Sequence, residues 1–290
     1  MELKRISVIL DKPKHDQLAW RQACQMQTYA GARMEALSFL WNVLCEPNST
    51  LQPGPRKQLR QQLTQERKTW LSGQVDGTPE VRQRVVWSSN IAAWMAADQA
   101  QNTTDLVVKS VHKSQSLVHT PTDWALLNQC TAPLLLAAPR RHKPSGNVLA
   151  ALDLRHNDAA HRRLNRKVLA AAHALAQWQG GQVHVVFAIE VSRVLRDLDI
   201  IKESVSRDKI IAAVTPEMQR LLQPYAIPKS RIHMPVGKVG PVVAQVARKL
   251  KADQLVVGSY AHRARGMLGL GNSAQRILTK AVCSVLAVHP

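Results

Sequence analysis

The chain contains the same pattern twice, and this internal repeat limits its fold more than any other feature. The apolar runs Ile6–Asp11 and Val148–Asp153 both have the length of a β-strand, end in aspartate and lead through a polar turn into a helical segment. In each half, strands and helices then alternate until the half closes with "APLLLAA" or "CSVLAVH". A repeat this long indicates a duplicated domain rather than a solenoid, whose units are much shorter.

The order of the repeated elements predicts the fold class. Strand and helix alternate five times in each half, and most strands are continuously apolar, which is typical of a parallel sheet covered by helices on both faces. We therefore predict an α/β protein with two tandem doubly wound, Rossmann-like domains, each with a five-stranded parallel sheet. The domains are expected at residues 1–139 and 147–290. Residues 140–146, from the proline-flanked stretch "PRRHKPSG", are typical of a linker.

Residues 258–275, "GSYAHRARGMLGLGNSAQ", have the composition of an anion-binding loop. The four glycines allow the backbone to approach a ligand closely, and Arg263 and Arg265 make the loop positive. A helix predicted to begin near Asn272 would point its first N–H groups at an anion. Asp253 is the last acidic residue of the chain, so no later carboxylate opposes an anion locally. The alternative is a structural turn whose helix satisfies its own N–H groups through a capping box.

The segment "DQLVVGSYAHRARGMLGLGNSAQRILTKAVCSVLAVHP" resembles the C-terminal signature of universal stress proteins. The duplication, "TPTDW" and "LGNSA" resemble the tandem, E-type members of that family in particular. The family's nucleotide loop has two glycines separated by two residues, then nine further residues and a third glycine, followed by Ser or Thr. Gly258 and Gly271 match the first and last glycines, Ala261 replaces the second, and Asn272 stands where Ser or Thr belongs, with Ser273 next.

The resemblance also implies a function and a site. It implies an adenine-nucleotide-α-hydrolase-like fold and a small bacterial stress-response protein, in a family of which some members bind ATP and others do not. A bound nucleotide would be ATP, ADP or AMP, with Mg²⁺ only alongside a triphosphate. The resemblance places Asp153 at the ribose or adenine side and Gly237, in "PVGKVG", in a turn lining the same crevice; both residues fit ordinary turns equally well. The candidate binding residues are Asp153, Gly237, Gly258, Ala261, Arg263, Arg265, Gly271, Asn272 and Ser273.

The first half differs from the second at this loop. Its counterpart, residues 109–124, reads "KSVHKSQSLVHTPTDW" and contains no glycine. "TPTDW" predicts a helix start with Asp123 in the first turn, where its carboxylate would take the place of a phosphate at the positive end of the helix dipole. We infer that the first domain fills its own anion site and binds no nucleotide. Lys109, His112 and Lys113 either pair with Asp123 or face solvent.

The net charge leaves a second function class open. The chain carries 39 Lys and Arg against 20 Asp and Glu, a formal net charge of +19, which favours polyanions. The alternative to a nucleotide-binding stress protein is therefore one that acts through nucleic acid or protein partners. Helix-turn-helix and zinc-finger spacings are absent from the sequence. An apolar or lipid-like ligand between helices is a third alternative.

Motifs of established enzyme classes are missing from the sequence. It contains no GxSxG elbow, no HExxH pair and no Walker lysine, so we assign no catalytic residue and no metal site, and expect at most weak ATP hydrolysis. No apolar stretch reaches the roughly 18 residues of a membrane span, and the N-terminus does not read as a signal peptide. We expect a cytoplasmic protein whose two domains pair as an intramolecular pseudo-dimer, with a further homodimer left open.

Overall fold

The computed structural model describes residues 3–78, 80–111, 121–140, 142–156, 158–190, 203–259, 261–262, 269–270 and 272–290. Of these, the residues up to 137 form one compact unit and those from 138 onward form the other. Each unit contains one five-stranded parallel sheet flanked by helices, which confirms the predicted fold class. In the part of the chain that is described, no helix combines the length and the apolar character needed to cross a membrane.

The N-terminal unit has the strand order β3-β2-β1-β4-β5, with every described pairing parallel. The strand order reverses between β1 and β4, which is the place where a doubly wound sheet opens a crevice for ligands. Its strands and helices are β1 (Arg5–Ile9), α1 (Leu18–Ala30), β2 (Arg33–Leu40), α2 (Pro53–Val75), β3 (Val81–Trp87), α3 (Ile91–Gln101), β4 (Leu106–Ser110), α4 (Pro121–Gln129) and β5 (Leu134–Ala137).

The C-terminal unit repeats this topology with the order β8-β7-β6-β9-β12. Its switch in strand order lies between β6 and β9. The short antiparallel strands β10 and β11 stand between β9 and the last helix. The elements are β6 (Asn147–Ala151), α5 (Ala159–Trp178), β7 (Gln182–Val186), α6 (Glu203–Leu222), β8 (Ile232–His233), α7 (Val239–Lys249), β9 (Gln254–Gly258), β10 (Ala261–His262), β11 (Gly269–Leu270), α8 (Asn272–Lys280) and β12 (Ser284–Val288).

Burial explains why several strands are mostly apolar along their whole length. All residues of β4, β5 and β12 are buried, so side chains on both faces of these strands leave water. Each fully buried Val or Leu contributes about 1.5–3 kcal/mol relative to an exposed one. The edge strand β3 differs, because it mixes exposed and buried positions and carries arginines. Continuous apolar runs therefore mark strands that are buried on both faces.

The predicted linker packs against the C-terminal unit. The backbone N–H groups of Ser145 and Gly146 donate to the carboxylate of Asp253 at 2.9 and 2.7 Å, and the side chain of Asp253 is buried. Gly146 has a φ of +72°, which glycine adopts without the steric cost of a side chain. The last part of the join is thus fixed to the domain that follows, whereas the domain limits themselves remain a prediction.

Candidate functional site

A cavity of about 380 Å³ opens at the carboxyl ends of the C-terminal sheet's central strands. Its position next to the switch between β6 and β9 is where doubly wound sheets bind ligands. One side is apolar and is formed by Leu164, Val186, Phe187, Val243 and Ile277. The other side is polar and carries Asp153, Arg155, His156, His161, Ser273 and Arg276. An apolar wall facing a few convergent polar groups is typical of a small-molecule pocket.

The pocket brings together three of the residues proposed from the sequence. Asp153, Gly258 and Ser273 all line it, although the first and last are far apart in the chain. Gly237 lies close by, two residues before α7, whose first residue Val239 lines the pocket.

The remaining candidates lie in or around the loop between β9 and α8. The backbone of Ala261 belongs to β10, and Asn272 is the first residue of α8, as the sequence predicted. Arg263, Arg265 and Gly271 lie outside the described residues. Their predicted part in binding therefore stays a prediction.

Gly258 has a packing reason to be glycine. A Cβ atom at this position would stand 2.6 Å from Cδ2 and 2.7 Å from Cγ of Leu164, a buried residue of α5. Contacts this short force one of the two atoms to move, so the glycine lets α5 lie directly on β9. The sequence predicts that Gly258 allows close approach of a ligand; the structure adds close approach of a helix.

Gly237 forms the turn predicted from the sequence. Its φ of +140° lies in a region that side-chain-bearing residues rarely adopt, and a Cβ atom would stand 2.8 Å from Cγ1 of Val242. The Gly237 N–H donates to the carbonyl of Ile189 at 2.9 Å. The turn therefore holds the start of α7 against the segment that follows β7.

Arg155 joins three parts of the pocket and is not among the residues proposed from the sequence. Its Nε and Nη2 donate to the two carboxylate oxygens of Asp153 at 3.2 Å each, and Nη1 donates to Oε2 of Glu190 at 3.0 Å. Nη2 also donates to the hydroxyl oxygen of Ser273 at 3.0 Å. The guanidinium thereby connects the turn after β6, the segment after β7 and the first turn of α8.

These contacts set the charge state of the pocket. Burial raises the pKa of Asp153, but the hydrogen bonds and the charge of Arg155 outweigh that effect and hold the pKa below its ordinary value. The same ion pair raises the pKa of Arg155. Both groups are therefore ionised at neutral pH, and the guanidinium lies next to the start of α8, where a helix attracts anions.

Glu190 is the second residue that sequence reasoning missed. Its Oε1 accepts the backbone N–H of Val239 at 3.0 Å, so a carboxylate already caps the N-terminus of α7. Arg276 Nη1 lies 3.7 Å from the same oxygen. The absence of acidic residues after Asp253 does not exclude this group, because the fold brings Glu190 in from a distant part of the chain.

Two histidines complete the polar side of the pocket. His156 and His161 lie with their ring centroids 4.7 Å apart, and Nδ1 of His161 is 2.5 Å from Oδ2 of Asp158. Both belong to the segment "LRHNDAAH", whose first part the sequence analysis treated only as a polar turn. The available signal was the position of the segment, directly after a strand that ends at the switch point.

The N-terminal unit holds an ion pair at the positions that correspond to Val257 and Ala274 in the C-terminal unit. Lys109 of β4 lies 2.8 Å from Oδ1 of Asp123 in the first turn of α4, and their side chains are 6% and 0% exposed. Lys109 Nζ also donates to the carbonyl of Ser110 at 2.9 Å. Of the two alternatives for Lys109, the structure shows pairing with Asp123, whereas His112 and Lys113 lie outside the described residues.

Two copies of a five-stranded doubly wound fold, one of them with a pocket at its switch point, define a tandem-domain α/β protein. Two solved structures share this fold along nearly the whole chain. A protein of unknown function from Pseudomonas aeruginosa PAO1 has a TM-score of 0.73 and 21% identity, covering 99% of this chain and 93% of its own. A universal stress protein from Archaeoglobus fulgidus DSM 4304 has a TM-score of 0.65 and 11% identity, covering 98% of each chain.

Sequence comparison identifies the family. A model described as the universal stress protein family matches residues 146–289. Universal stress protein A homolog 1 of Coxiella burnetii is 31% identical over 144 residues, 49% of this chain and 94% of that protein. Universal stress protein E of Escherichia coli K12 is 26% identical across 98% of this chain and 93% of its own. The universal stress protein E homolog of Haemophilus influenzae is 24% identical, and the match covers 100% of this chain and 98% of that protein. The chain belongs to the universal stress protein family, as a tandem member of the E type.

Proposed function

We propose that this universal stress protein is a stress-response binding module that holds one adenine nucleotide per chain, in its C-terminal domain. The observation that carries the proposal is the difference between the two switch points. The C-terminal one has a cavity of about 380 Å³ with Arg155 next to the first turn of α8. The N-terminal one has the buried pair of Lys109 and Asp123. The proposed domain limits are residues 1–139 and 147–290.

The polar side of the cavity has the groups that a nucleotide needs. A phosphate at the start of α8 would accept hydrogen bonds from the Ser273 hydroxyl and from Arg155, and charge-assisted bonds of this kind contribute about 1.5–3 kcal/mol each. The carboxylate of Asp153 would accept hydroxyl groups of the ribose. Arg263, Arg265 and Gly271 are proposed to complete the loop over the phosphates. Mg²⁺ would accompany a triphosphate only.

The apolar side of the cavity suits a flat, weakly polar ring. Leu164, Val186 and Ile277 are buried and offer aliphatic surface to one face of a base. Burial of apolar area contributes about 25 cal/mol per Å², so a base that covers this wall adds affinity without a hydrogen bond to every ring nitrogen. The combination of an apolar wall with Arg155 and Ser273 favours a nucleotide over inorganic phosphate alone.

The N-terminal domain is proposed to be structural. The carboxylate of Asp123 lies in the first turn of α4 and places a negative charge where a phosphate would have to bind. A nucleotide would have to displace this carboxylate and leave Lys109 buried without its partner. Both steps cost free energy, so we expect no second nucleotide site.

The test is a calorimetric titration of the full chain with ATP, ADP and AMP, with stoichiometry. Ser273 and Thr122 are the second residues of α8 and α4, so Ser273→Ala and Thr122→Ala form a matched pair. We expect one nucleotide per chain, weaker binding in Ser273→Ala and unchanged binding in Thr122→Ala. Two equivalent sites, loss of binding in Thr122→Ala, or no binding of any of the three nucleotides would overturn the proposal.

A second candidate function is polyanion binding, which the basic surface of α2 favours. Lys57, Arg60 and Lys68 are exposed on this helix, and the chain as a whole has a net charge of +19. Nucleic-acid binding through such groups would weaken with salt, with a log–log slope of about −0.9 per phosphate contacted on duplex DNA. Pocket binding of a nucleotide depends on salt much less. Titrations at two salt concentrations therefore separate the two functions.

A further inference from the structure

Three side chains of metal-binding type converge at the rim of the C-terminal pocket. Asp153 follows β6, His156 lies in the next turn and His161 is in the first turn of α5. One ligand atom from each lies within 4.8 Å of the other two. We propose that these three residues bind a divalent transition-metal ion of the zinc class. The proposal does not rest on nucleotide binding.

The second observation for a metal site is the position of Asp158. Its Oδ2 lies 2.5 Å from Nδ1 of His161, and its Oδ1 accepts the backbone N–H of His161 at 2.9 Å. Metal-binding histidines almost always donate their other ring N–H to such a carboxylate, which fixes the tautomer and the ring orientation. With Nδ1–H donated to Asp158, Nε2 is the nitrogen through which His161 would bind the ion.

The position of Asp158 supports this arrangement. Its two carboxylate oxygens lie against the backbone N–H and the ring Nδ1 of His161. An ionised partner makes the imidazole a stronger electron donor toward a metal ion. Asp158 is also the N-cap of α5, which anchors it relative to His161.

The geometry requires a small closure around the ion. Zinc–nitrogen and zinc–oxygen bonds of about 2.0–2.2 Å place tetrahedral ligand atoms roughly 3.3 Å apart. The present separations of up to 4.8 Å must therefore shorten by about 1.5 Å at most. His156 is exposed in a turn, so its side chain can rotate without disturbing the core.

The donor set defines the class of metal. Two imidazoles and one carboxylate suit Zn²⁺, Co²⁺ and Ni²⁺, whereas Mg²⁺ and Ca²⁺ prefer oxygen ligands only. Three protein ligands leave a fourth position for water or for an anion from the pocket. Arg155 shares the carboxylate of Asp153, so the ion would compete with the guanidinium for the same oxygens.

The experiment titrates the metal-free full chain with Zn²⁺ alone, without nucleotide, and records the visible spectrum with Co²⁺. We expect one ion per chain at this site and a tetrahedral Co²⁺ spectrum. His156→Gln and His161→Gln each remove a ligand and should weaken binding at least 100-fold. Asp158→Asn keeps all three ligands and should weaken it about 10–100-fold, which a residue without a role in the site would not do.

His184→Gln is the matched control, because it alters another pair of neighbouring histidines. Nδ1 of His184 lies 3.2 Å from Nε2 of His233 in the same domain. This variant should bind Zn²⁺ as tightly as the parent chain. The proposal is overturned if the parent chain takes up no Zn²⁺, if His156→Gln and His161→Gln bind it unchanged, or if His184→Gln loses the ion instead. Because nucleotide is left out, the result is independent of whether the pocket binds one.

Discussion

The two sheets differ at their switch points: one is filled by a buried ion pair, and the other opens into a cavity. In the N-terminal domain, Lys109 reaches from the end of β4 to Asp123 in the next helix, and the pair is buried. In the C-terminal domain, Gly258 ends the equivalent strand β9 and a cavity opens in front of Ser273. The same fold can therefore place its own carboxylate at the N-terminus of the last helix of a domain, or leave that N-terminus open to a ligand.

The largest effect is expected from breaking the ion pair of the N-terminal domain. Lys109→Met removes the cation that lies 2.8 Å from the buried carboxylate of Asp123, and breaking a buried ion pair in this way costs about 3–5 kcal/mol of unfolding free energy. Urea unfolding of the full chain measures the loss. Lys68→Met, at an exposed position of α2, is the control and should change stability by no more than about 0.5 kcal/mol.

The double variant Lys109→Met/Asp123→Leu sharpens this test. It removes both charges and fills the space with apolar atoms, and such replacements of buried pairs are often neutral or stabilising. Most of the stability lost in Lys109→Met should therefore return. If the double variant is as unstable as the single one, the loss of stability does not come from the broken ion pair.

The next largest effect concerns the cation of the C-terminal pocket. Arg155→Met should weaken nucleotide binding about tenfold or more, because a charge-assisted bond to phosphate contributes about 1.5–3 kcal/mol. Calorimetric titration with ADP measures it, and Arg166→Met, at an exposed position of α5, should bind like the parent chain. Tighter binding in Arg155→Met would mean that the guanidinium occupies the ligand's place instead of contacting it.

A smaller effect on stability is expected at the end of β9, where the second domain has Gly258 and the first domain has a residue with a side chain. Gly258→Ala places a Cβ atom against Leu164 and should destabilise the chain by about 1–3 kcal/mol through overpacking. Gly73→Ala, on α2, is the control, because a Cβ atom there has open space. Combining Gly258→Ala with Leu164→Ala should cost less than the sum of the single changes; strict additivity would place the strain elsewhere.

The two sheets also differ at a matched pair of positions away from the switch points. Glu35 and His184 are the third residues of β2 and β7, and Arg84 and His233 each lie opposite the fifth residue of the neighbouring strand. Arg84 Nη1 donates to Glu35 at 3.1 Å, whereas His184 and His233 stack with ring centroids 5.4 Å apart. The N-terminal domain has an ion pair where the C-terminal domain has two titratable rings.

This difference predicts a mild dependence of stability on pH. Burial lowers the pKa of both His184 and His233, and the charges of His233 and Lys249, respectively, lower them further. The unfolded chain takes up protons near pH 6.5 while the folded rings resist, so their contribution is present above that pH and declines as the pH falls below it. Urea midpoints at pH 7.5 and 5.5 should therefore differ less in His184→Gln than in the parent chain.

The control for this comparison is an exposed histidine in the other domain. His15→Gln should leave the difference between the two pH values unchanged. A pH dependence that survives in His184→Gln and disappears in His15→Gln would contradict the assignment. Because both stacked rings are only partly buried, this effect is the smallest of the four.

The sequence predicted the fold because its signals are local. Continuous apolar runs of strand length, each followed by a helical segment, occur twice in the same order, and both sheets contain them as expected. The family resemblance placed Asp153 and Ser273 at one site, and both line the cavity beside the switch point. The position of an element in a doubly wound sheet thus fixes which residues reach the crevice.

The polar contacts of the pocket could not be predicted in this way, because they join distant parts of the chain. Arg155 reaches Ser273 across 118 positions and Glu190 across 35, and neither pair follows from a motif. Glu190 in particular escaped a count of acids made along the loop alone. Which group satisfies a helix N-terminus depends on side chains that the fold delivers from elsewhere.

The hydrogen bonds between Asp253 and the end of the linker determine where the protein can be divided into fragments. A fragment that begins at Asn147 lacks the N–H groups of Ser145 and Gly146, so it keeps a buried carboxylate but loses two of its donors. A fragment that begins at Arg140 retains both donors, together with a guanidinium 3.8 Å from the same carboxylate. A fragment of the second half should therefore begin before the basic stretch, so that this stretch stays with the second domain.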